Sequence, residues 1–228
     1  MAILFDLDDT ILDHAEAFQK GTQALHARFA TSLTLTEFAA AWEASLKIQY
    51  ERYLAGAISY EQQRLERVRD VLDPSLSDSE AMGWFSVYRD AYESAWRIFP
   101  DAASALEALS SRPLGIITNG QVDQQRKKLR VLGIAERFSC VVISESVGHA
   151  KPSPTIFRHA CELLGEAPDR CAYVGDRYDL DAQGARDSGL VGIWLDRQGT
   201  ATAAHVGPII RSLEQLTSPA FAETYLPG

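Results

Sequence analysis

The sequence predicts an α/β protein: a doubly wound parallel sheet with a helical bundle inserted after its first strand. Two observations support this prediction. Beyond residue 98, short apolar runs alternate with helical stretches, which is typical of right-handed strand–helix–strand units. Between residues 13 and 97, apolar residues recur at helical spacing and no strand is indicated. We therefore expect residues 1–12 and 98–228 to form a Rossmann-like core, and residues 13–97 to form a separate helical domain.

The first predicted strand is the apolar run at residues 2–7, AILFDL, which breaks directly into acidic residues. Four more apolar runs predict strands at 114–118, 140–143, 171–174 and 191–195. Helices are expected between them, at 101–110, 121–132, 154–164 and 180–188. Three of these helices are followed by a glycine suited to end a helix, at Gly133, Gly165 and Gly189.

The inserted block predicts four helices, because four segments begin with a capping signal. In each, a Ser, Thr or Asp is followed three residues later by Glu or Gln, so that the two side chains can satisfy free backbone N–H groups. The signals begin at Asp13, Thr34, Ser59 and Ser77. One apolar stripe follows each signal. Trp42, Trp84 and Trp96 are expected in the core of this bundle, and Asp13 is expected to cap a helix rather than contact substrate.

Composition excludes several classes of protein. The chain has 31 acidic and 22 basic residues, a net charge of −9, which argues against a general nucleic-acid binder. No apolar run approaches the roughly 18 residues of a membrane span. The N-terminal stretch lacks the basic flank of a secretory signal. The three cysteines, an odd number without a CxxC motif, are expected to be buried free thiols in a cytoplasmic protein.

Polar side chains follow the predicted strands at the edge where parallel sheets bind ligands. Asp6 and Asp8 follow the first strand, and their spacing in an extended segment points both carboxylates to one face. One carboxylate can then act as a nucleophile while the other transfers protons. Further candidates follow the second, third and fourth strands: Thr118 and Asn119, Lys151, and Asp176.

These residue types suit a phosphoryl group and a metal ion. Paired acids repel each other and any anionic substrate, and a hard divalent cation would offset that repulsion. Asp176 adds an oxygen ligand, and an all-oxygen set favours Mg²⁺. Lys151 adds positive charge, while the Thr118 hydroxyl and the backbone N–H groups near Asn119 and Gly120 could bind phosphoryl oxygens.

Four segments resemble the motifs of the haloacid dehalogenase superfamily, in the family's order and spacing. They are FDLDDTILD at 5–13, ITNG at 117–120, VGHAKPSPTIF around Lys151, and VGDRYDLDAQGA at 174–185. The helical block between the first two resembles the cap of the subfamily I phosphatases. DDTILD together with TNG is similar to small-metabolite phosphatases of the nucleotidase and acylneuraminate-phosphate phosphatase type.

The resemblance implies a role for each carboxylate of the first and last motifs. Asp6 is implied as the nucleophile that becomes an aspartyl phosphate, and Asp8 as the general acid–base. Asp176 is implied as a Mg²⁺ ligand, beside the Asp6 carboxylate and the Asp8 backbone carbonyl. Asp181 matches the second acid of the last motif and is implied to act through a metal-bound water, with Asp179 as the competing candidate.

The remaining motif residues are implied to bind the substrate. Thr118 would bind the phosphoryl group, Asn119 would lie beside it, and Lys151 would offset its charge. His149 and Arg177 lie next to motif residues and stay open as substrate contacts. The basic run at 124–130, QQRKKLR, is expected to be a solvated helix face.

The expected function is that of a Mg²⁺-dependent phosphatase acting on a small-molecule phosphate monoester. A phosphotransferase or mutase is an alternative, since only the phosphate acceptor differs. A haloacid dehalogenase is another, although that family uses the same nucleophile without metal and lacks the acid at the position of Asp8. A receiver-type signalling domain would be about half as long and would lack the helical block. The sequence leaves the phosphate ester and the oligomeric state open.

Overall fold

The protein is described here from a computed structural model, in which residues 1–29 and 31–226 are placed well enough to describe. The chain divides into two compact units. The first consists of Met1–Asp13 together with Arg97–Gly228, and the second is His14–Trp96. Within the described residues, no helix is both long and apolar enough to cross a bilayer.

In its described residues, the second unit contains four helices: α1 (His14–Arg28), α2 (Leu35–Leu54), α3 (Tyr60–Val71) and α4 (Asp78–Ser94). Complete capping boxes start α2, α3 and α4 at Thr34, Ser59 and Ser77, as the sequence predicts. Of the three tryptophans expected in the core, Trp42 is fully buried and Trp96 is buried. Trp84 is only half-buried and packs edge-on against the Phe29 ring.

The first unit is built on a six-stranded sheet in the order β3-β2-β1-β4-β5-β6, with every neighbouring pair parallel. The strands are β1 (Ala2–Phe5), β2 (Leu114–Thr118), β3 (Cys140–Ile143), β4 (Cys171–Gly175), β5 (Val191–Leu195) and β6 (Ile209–Ile210). All residues of β1 are buried. This agrees with the continuous apolar runs expected for a parallel sheet covered on both faces. Strand β1 lies near the centre, so its carboxyl end is flanked by those of β2 and β4.

Six helices connect or flank these strands: α5 (Pro100–Ala108), α6 (Val122–Val131), α7 (Ser144–Val147), α8 (Pro154–Leu164), α9 (Gly184–Asp187) and α10 (Pro219–Tyr225). A π-helical turn, Tyr178–Gln183, leads directly into α9. The observed α/β fold confirms the predicted class. Gly133, Gly165 and Gly189 have φ values of 67°, 68° and 93°, the left-handed conformation that the prediction required of glycine at a helix end.

Two predicted boundaries shift for identifiable reasons. The strand predicted at 2–7 ends at Phe5, because the Leu7 carbonyl accepts from the N–H groups of Ile11 and Leu12 and closes a tight loop. The helix predicted at 180–188 begins earlier, in the π-helical turn. All three cysteines are buried and free, as predicted, and belong to the apolar cluster beneath α8.

Candidate active site

The carboxyl end of β1 carries Asp6 into a buried position. The Asp6 N–H donates to the Val174 carbonyl at 2.9 Å, which extends the pairing with β4 by one residue. The Asp6 side chain therefore lies at the sheet edge, with only 6% of the residue exposed. Position 8 follows in the loop closed by the Leu7 carbonyl, and the Asp8 side chain is partly exposed.

The Lys151 ammonium is the centre of a buried polar cluster. Its Nζ lies 2.7 Å from Asp6 Oδ1, 2.6 Å from Asp181 Oδ1 and 2.8 Å from the Tyr173 hydroxyl oxygen. The Tyr173 hydroxyl in turn donates to the Ile117 carbonyl at 2.9 Å. An ammonium has three N–H groups, and these three acceptors satisfy all of them. The cluster thus joins residues from β1, β4 and the turn after β4 through one cation.

Asn119 fixes the backbone of Lys151. The Lys151 N–H donates to Asn119 Oδ1 at 2.8 Å, and Asn119 Nδ2 donates to the Lys151 carbonyl at 3.1 Å. The Asn119 side chain therefore connects the end of β2 to the segment that carries the lysine. The Gly120 N–H, expected to face a phosphoryl oxygen, instead donates to Ser144 Oγ at 3.0 Å.

Three carboxylates lie together at this edge. Asp6, Asp176 and Asp181 each place an oxygen within 4.8 Å of the others. Asp181 Oδ2 also accepts from the Arg177 N–H at 2.9 Å. The Asp181 carboxyl occupies the space that a Cβ at position 175 would need, so only glycine at Gly175 leaves room for it.

The two candidates for the second acid of the last motif lie in different environments. Asp181 is fully buried and belongs to the carboxylate cluster. Asp179 is exposed, and its Oδ1 lies 3.7 Å from Nε of the exposed Arg177. The π-helical turn produces this difference, because it carries residue 181 back beneath the end of β4 and leaves residue 179 outside.

Burial and mutual repulsion shift the titration of the cluster. Burial raises the pKa of Asp6 to about 7; Asp181 and Asp8 repel its charged form, and Lys151 counteracts the rise. Burial, followed by repulsion from Asp6 and Asp181, raises the pKa of Asp176 to about 8. Burial alone would lower the pKa of Lys151, but the Asp181 and Asp6 carboxylates outweigh it and raise that pKa.

The cluster has the charge and the donor set of a divalent-cation site. Three carboxylates lie together and the Lys151 ammonium contacts two of them, so the fully ionised cluster keeps a net negative charge. Burial first, and then repulsion between the carboxylates, disfavours the charged forms of Asp6 and Asp176, and a bound cation would favour them. Carboxylate oxygens are the ligands that Mg²⁺ prefers. The residues present therefore fit such an ion.

Asp8 is held from the other side by helix α6. Lys128 Nζ lies 2.7 Å and 2.8 Å from the two Asp8 carboxylate oxygens, and Gln125 Nε2 donates to Asp8 Oδ2 at 3.0 Å. The same Gln125 amide donates to Thr118 Oγ1 at 2.7 Å. Thr118 itself is buried. The Gln125 side chain therefore contacts both Asp8, the acid–base candidate, and Thr118, whose hydroxyl is the candidate phosphoryl ligand.

These contacts correct the expectation that residues 124–130 form a solvated helix face. Lys128 is 2% exposed and Gln125 is 1% exposed, whereas Arg126 and Arg130 are exposed. The buried pair is spaced three residues apart, which places both on one side of the helix next to the buried Leu129. The spacing of Gln125, Lys128 and Leu129 could have indicated a buried side of the helix, but the many charged residues in QQRKKLR favoured a fully exposed one.

Sequence reasoning also missed the residues that fix the loop after β1. The Asp176 N–H donates to Thr10 Oγ1 at 3.1 Å. Arg197 donates to the Thr10 carbonyl and to Asp101 Oδ2, both at 2.8 Å. The Trp194 indole N–H donates to the Asp176 carbonyl at 2.8 Å. These contacts join segments far apart in the chain, so no local pattern predicts them.

In the described part of the chain, the side chains of His149 and Arg177, which the sequence left open as substrate contacts, are exposed and do not join the carboxylate cluster. Asp13 accepts from Arg97 Nη2 at 3.1 Å, and its predicted role as a helix cap stays a prediction.

The haloacid dehalogenase-like hydrolase profile matches residues 1–189, a range that contains the whole carboxylate cluster. The chain belongs to this family of hydrolases. This membership confirms the family that the four sequence motifs indicate.

Individual relatives share both sequence and fold. The chain is 42% identical over 102 residues to a phosphoserine phosphatase from Thermus thermophilus, covering 44% of this chain and 41% of that protein. It is 30% identical over 199 residues to a glyceraldehyde 3-phosphate phosphatase from Methanopyrus kandleri, covering 86% and 84%. A solved 2-haloacid dehalogenase from Pseudomonas syringae superposes with a TM-score of 0.71 at 28% identity, covering 98% of both chains.

The raised pKa values predict that metal-free protein loses stability as pH rises. Folded Asp6 and Asp176 keep protons up to about pH 7 and 8, whereas unfolded aspartates release theirs near pH 4. The unfolded state then binds fewer protons between these values, so the free energy of unfolding falls across this range. Thermal unfolding in EDTA, followed by circular dichroism from pH 5 to 8, should show the decline.

Two variants test whether the carboxylate cluster causes this loss of stability with rising pH. Asp176→Asn removes one titrating group and should flatten the decline, leaving the variant several degrees more stable than the wild type at pH 8. Asp169→Asn removes an exposed aspartate and should keep the wild-type slope. Equal slopes for the wild type and Asp176→Asn would show that the cluster does not cause the pH dependence.

Proposed function

We propose that the protein is a Mg²⁺-dependent phosphatase that hydrolyses a small-molecule phosphate monoester through an aspartyl phosphate on Asp6. The observation that carries this proposal is the cluster of Asp6, Asp176 and Asp181, in which Asp6 and Asp181 contact the buried Lys151 ammonium. The two curated relatives described above, both named as phosphatases of small phosphorylated metabolites, support the substrate class. The three unpaired cysteines support a cytoplasmic location.

In the first step, an Asp6 carboxylate oxygen attacks phosphorus and the bond to the ester oxygen breaks. Asp8 donates a proton to the departing oxygen, so the alcohol leaves neutral. In the second step, Asp8 takes a proton from water as the water oxygen attacks the aspartyl phosphate, and inorganic phosphate and the Asp6 carboxylate are released. A pKa of about 7 leaves a substantial fraction of Asp6 ionised at neutral pH, as the nucleophile requires.

The contacts of Thr118 and Lys151 support different roles for them. Thr118 Oγ1 accepts from Gln125, so its own O–H is directed away from that amide and can donate to a phosphoryl oxygen. Lys151 already donates all three N–H groups to protein atoms. We therefore propose that Lys151 acts on the phosphoryl group through its charge and by holding Asp6 in place.

Asp6, Asp176 and the Asp8 backbone carbonyl would hold Mg²⁺. When bound, the ion supplies positive charge that offsets the carboxylates and the phosphoryl oxygens. Both Asp181 oxygens already accept from protein donors, Lys151 at one and the Arg177 N–H at the other. This favours a role for Asp181 in orienting Lys151 and a metal-bound water.

A haloacid dehalogenase is the second candidate, because a solved dehalogenase is 28% identical to this chain. Two residues argue against it. Family resemblance implies that dehalogenases use the nucleophile without metal and lack an acid at the position of Asp8. This chain has Asp8, and Asp176 belongs to an acidic cluster suited to a cation. A phosphotransferase would use the same site residues as the phosphatase and would differ only in transferring the phosphoryl group to a second substrate and not to water.

A phosphate-release screen tests the proposed function. We expect release from at least one of a set of nucleoside monophosphates, sugar phosphates, phosphoglycolate, phosphoserine and p-nitrophenyl phosphate with Mg²⁺, and loss of release in excess EDTA. Asp6→Asn should reduce turnover to background, because a neutral amide does not attack phosphorus. Halide release from 2-chloropropionate without phosphate release would favour the dehalogenase. Recovery of the phosphoryl group on a second substrate would favour a phosphotransferase.

The two acids after β4 provide a matched pair of variants. Asp181→Asn removes the charge that Lys151 contacts and should lower kcat by roughly 10- to 100-fold, the range typical of residues that orient ligands of a metal site. Asp179→Asn makes the same change at an exposed position and should leave kcat within about 3-fold of the wild type. Steady-state kinetics would measure both. The reverse order would assign the motif's second acid to Asp179.

A further inference from the structure

Helix α6 contributes a buried cation to the site that none of the four motifs includes. Lys128 is 2% exposed, and its Nζ contacts both Asp8 carboxylate oxygens, at 2.7 Å and 2.8 Å. Burying an ammonium costs several kcal/mol unless an opposite charge compensates for it. The Asp8 side chain is 26% exposed, so its own charge could be solvated without Lys128. The buried Lys128 ammonium therefore needs the Asp8 carboxylate, whereas the partly exposed Asp8 does not need Lys128 for its own solvation.

A second side chain from the same face of α6 restricts Asp8 further. Gln125 Nε2 donates to Asp8 Oδ2 at 3.0 Å and to Thr118 Oγ1 at 2.7 Å. The amide therefore connects the proposed acid–base to the hydroxyl proposed to bind the phosphoryl group. Lys128 and Gln125 together make three contacts to Asp8, from a helix that also begins at the ligand-binding edge of the sheet.

We propose that Lys128 and Gln125 are positioning residues that hold the Asp8 carboxylate in one orientation for proton transfer. This inference rests on the proposed acid–base role of Asp8. An aspartate side chain rotates about two bonds, and proton transfer requires its oxygen within hydrogen-bond distance of the ester oxygen or the water. Small misplacements of a reacting group can cost on the order of 100-fold in rate. Lys128 restricts both rotations because it contacts both oxygens.

The first test replaces Lys128 with a side chain of similar length and no charge. We expect Lys128→Met to lower kcat for p-nitrophenyl phosphate by roughly 10- to 100-fold, because hydrolysis of the aspartyl phosphate needs Asp8, while KM does not rise, because binding of the phosphoryl group is left intact. Arg126→Met removes one positive charge from the exposed face of the same helix and should leave both constants near those of the wild type. Thermal unfolding would verify that each variant is folded.

A double-mutant cycle separates positioning from a merely structural contribution. In an Asp8→Asn background the acid–base is already lost, so adding Lys128→Met should reduce turnover by less than about 3-fold. p-Nitrophenyl phosphate suits this cycle because its leaving group needs little protonation, so the first step should still proceed in the Asp8→Asn background. If the two losses multiply, Lys128 does not act through Asp8 and the inference is wrong. Should Lys128→Met fail to fold, Lys128→Gln, which keeps a donor N–H, carries the same cycle.

The outcomes distinguish this inference from the proposed function. An active wild type with multiplying losses would overturn the positioning role and leave the phosphatase assignment intact. A wild type that releases no phosphate from any ester in the screen would overturn the assignment and the inference together. An active wild type with non-multiplying losses, and a silent Arg126→Met control, would support both.

Discussion

The site depends on one buried ammonium. Lys151 contacts Asp6, Asp181 and Tyr173, which come from the end of β1, the turn after β4 and β4 itself. Carboxylates placed within 4.8 Å of one another and shielded from water repel strongly, and one of a pair ordinarily takes up a proton. The ammonium offsets part of that repulsion and defines where the two carboxylates lie. Its own position is set by the two hydrogen bonds between its backbone and the Asn119 side chain.

The Lys151 ammonium offsets only part of the negative charge of the carboxylate cluster, and the remaining charge is what suits the site to bind a cation. The cluster holds three carboxylates and one ammonium, and burial together with the repulsion between carboxylates raises the pKa values of Asp6 and Asp176 to about 7 and 8. The cluster can reach neutrality by taking up protons or by binding a cation. A site with an excess of negative charge is suited to bind a cation and, through it, an anionic substrate. In a domain that bound no ligand at this position, the same excess of negative charge would only lower the free energy of unfolding.

Local patterns predicted much of the fold. The capping boxes at Thr34, Ser59 and Ser77 involve residues three apart, and the strands are continuous apolar runs, so both are visible in a short window of sequence. The polar residues after β1, β2 and β4 could be assigned to one edge because parallel strands end together. The family resemblance favoured Asp181 over Asp179, but residue spacing alone does not show the π-helical turn that buries Asp181 and leaves Asp179 exposed.

The supporting residues were harder to predict for a physical reason. Tyr173 and Lys151 are 22 residues apart, and Gln125 and Asp8 are 117 residues apart, so their contacts exist only once the sheet has formed. Lys128 lies in a run of charged residues, where the simplest expectation is exposure. Its burial follows from a carboxylate that another segment supplies. Residues that hold a site together therefore leave weaker sequence signals than those that face the substrate.

The central claim, that Asp6 is the nucleophile, is tested most directly by locating a covalent phosphoryl group. Asp8→Asn should keep the first step with p-nitrophenyl phosphate, whose leaving group needs little protonation, and slow the second step, which needs a base. Acid quenching, proteolysis and fragmentation mass spectrometry should then find the mass increment of one phosphoryl group on Asp6. An increment on Asp9, or sustained turnover with no covalent phosphate at any time, would contradict this account.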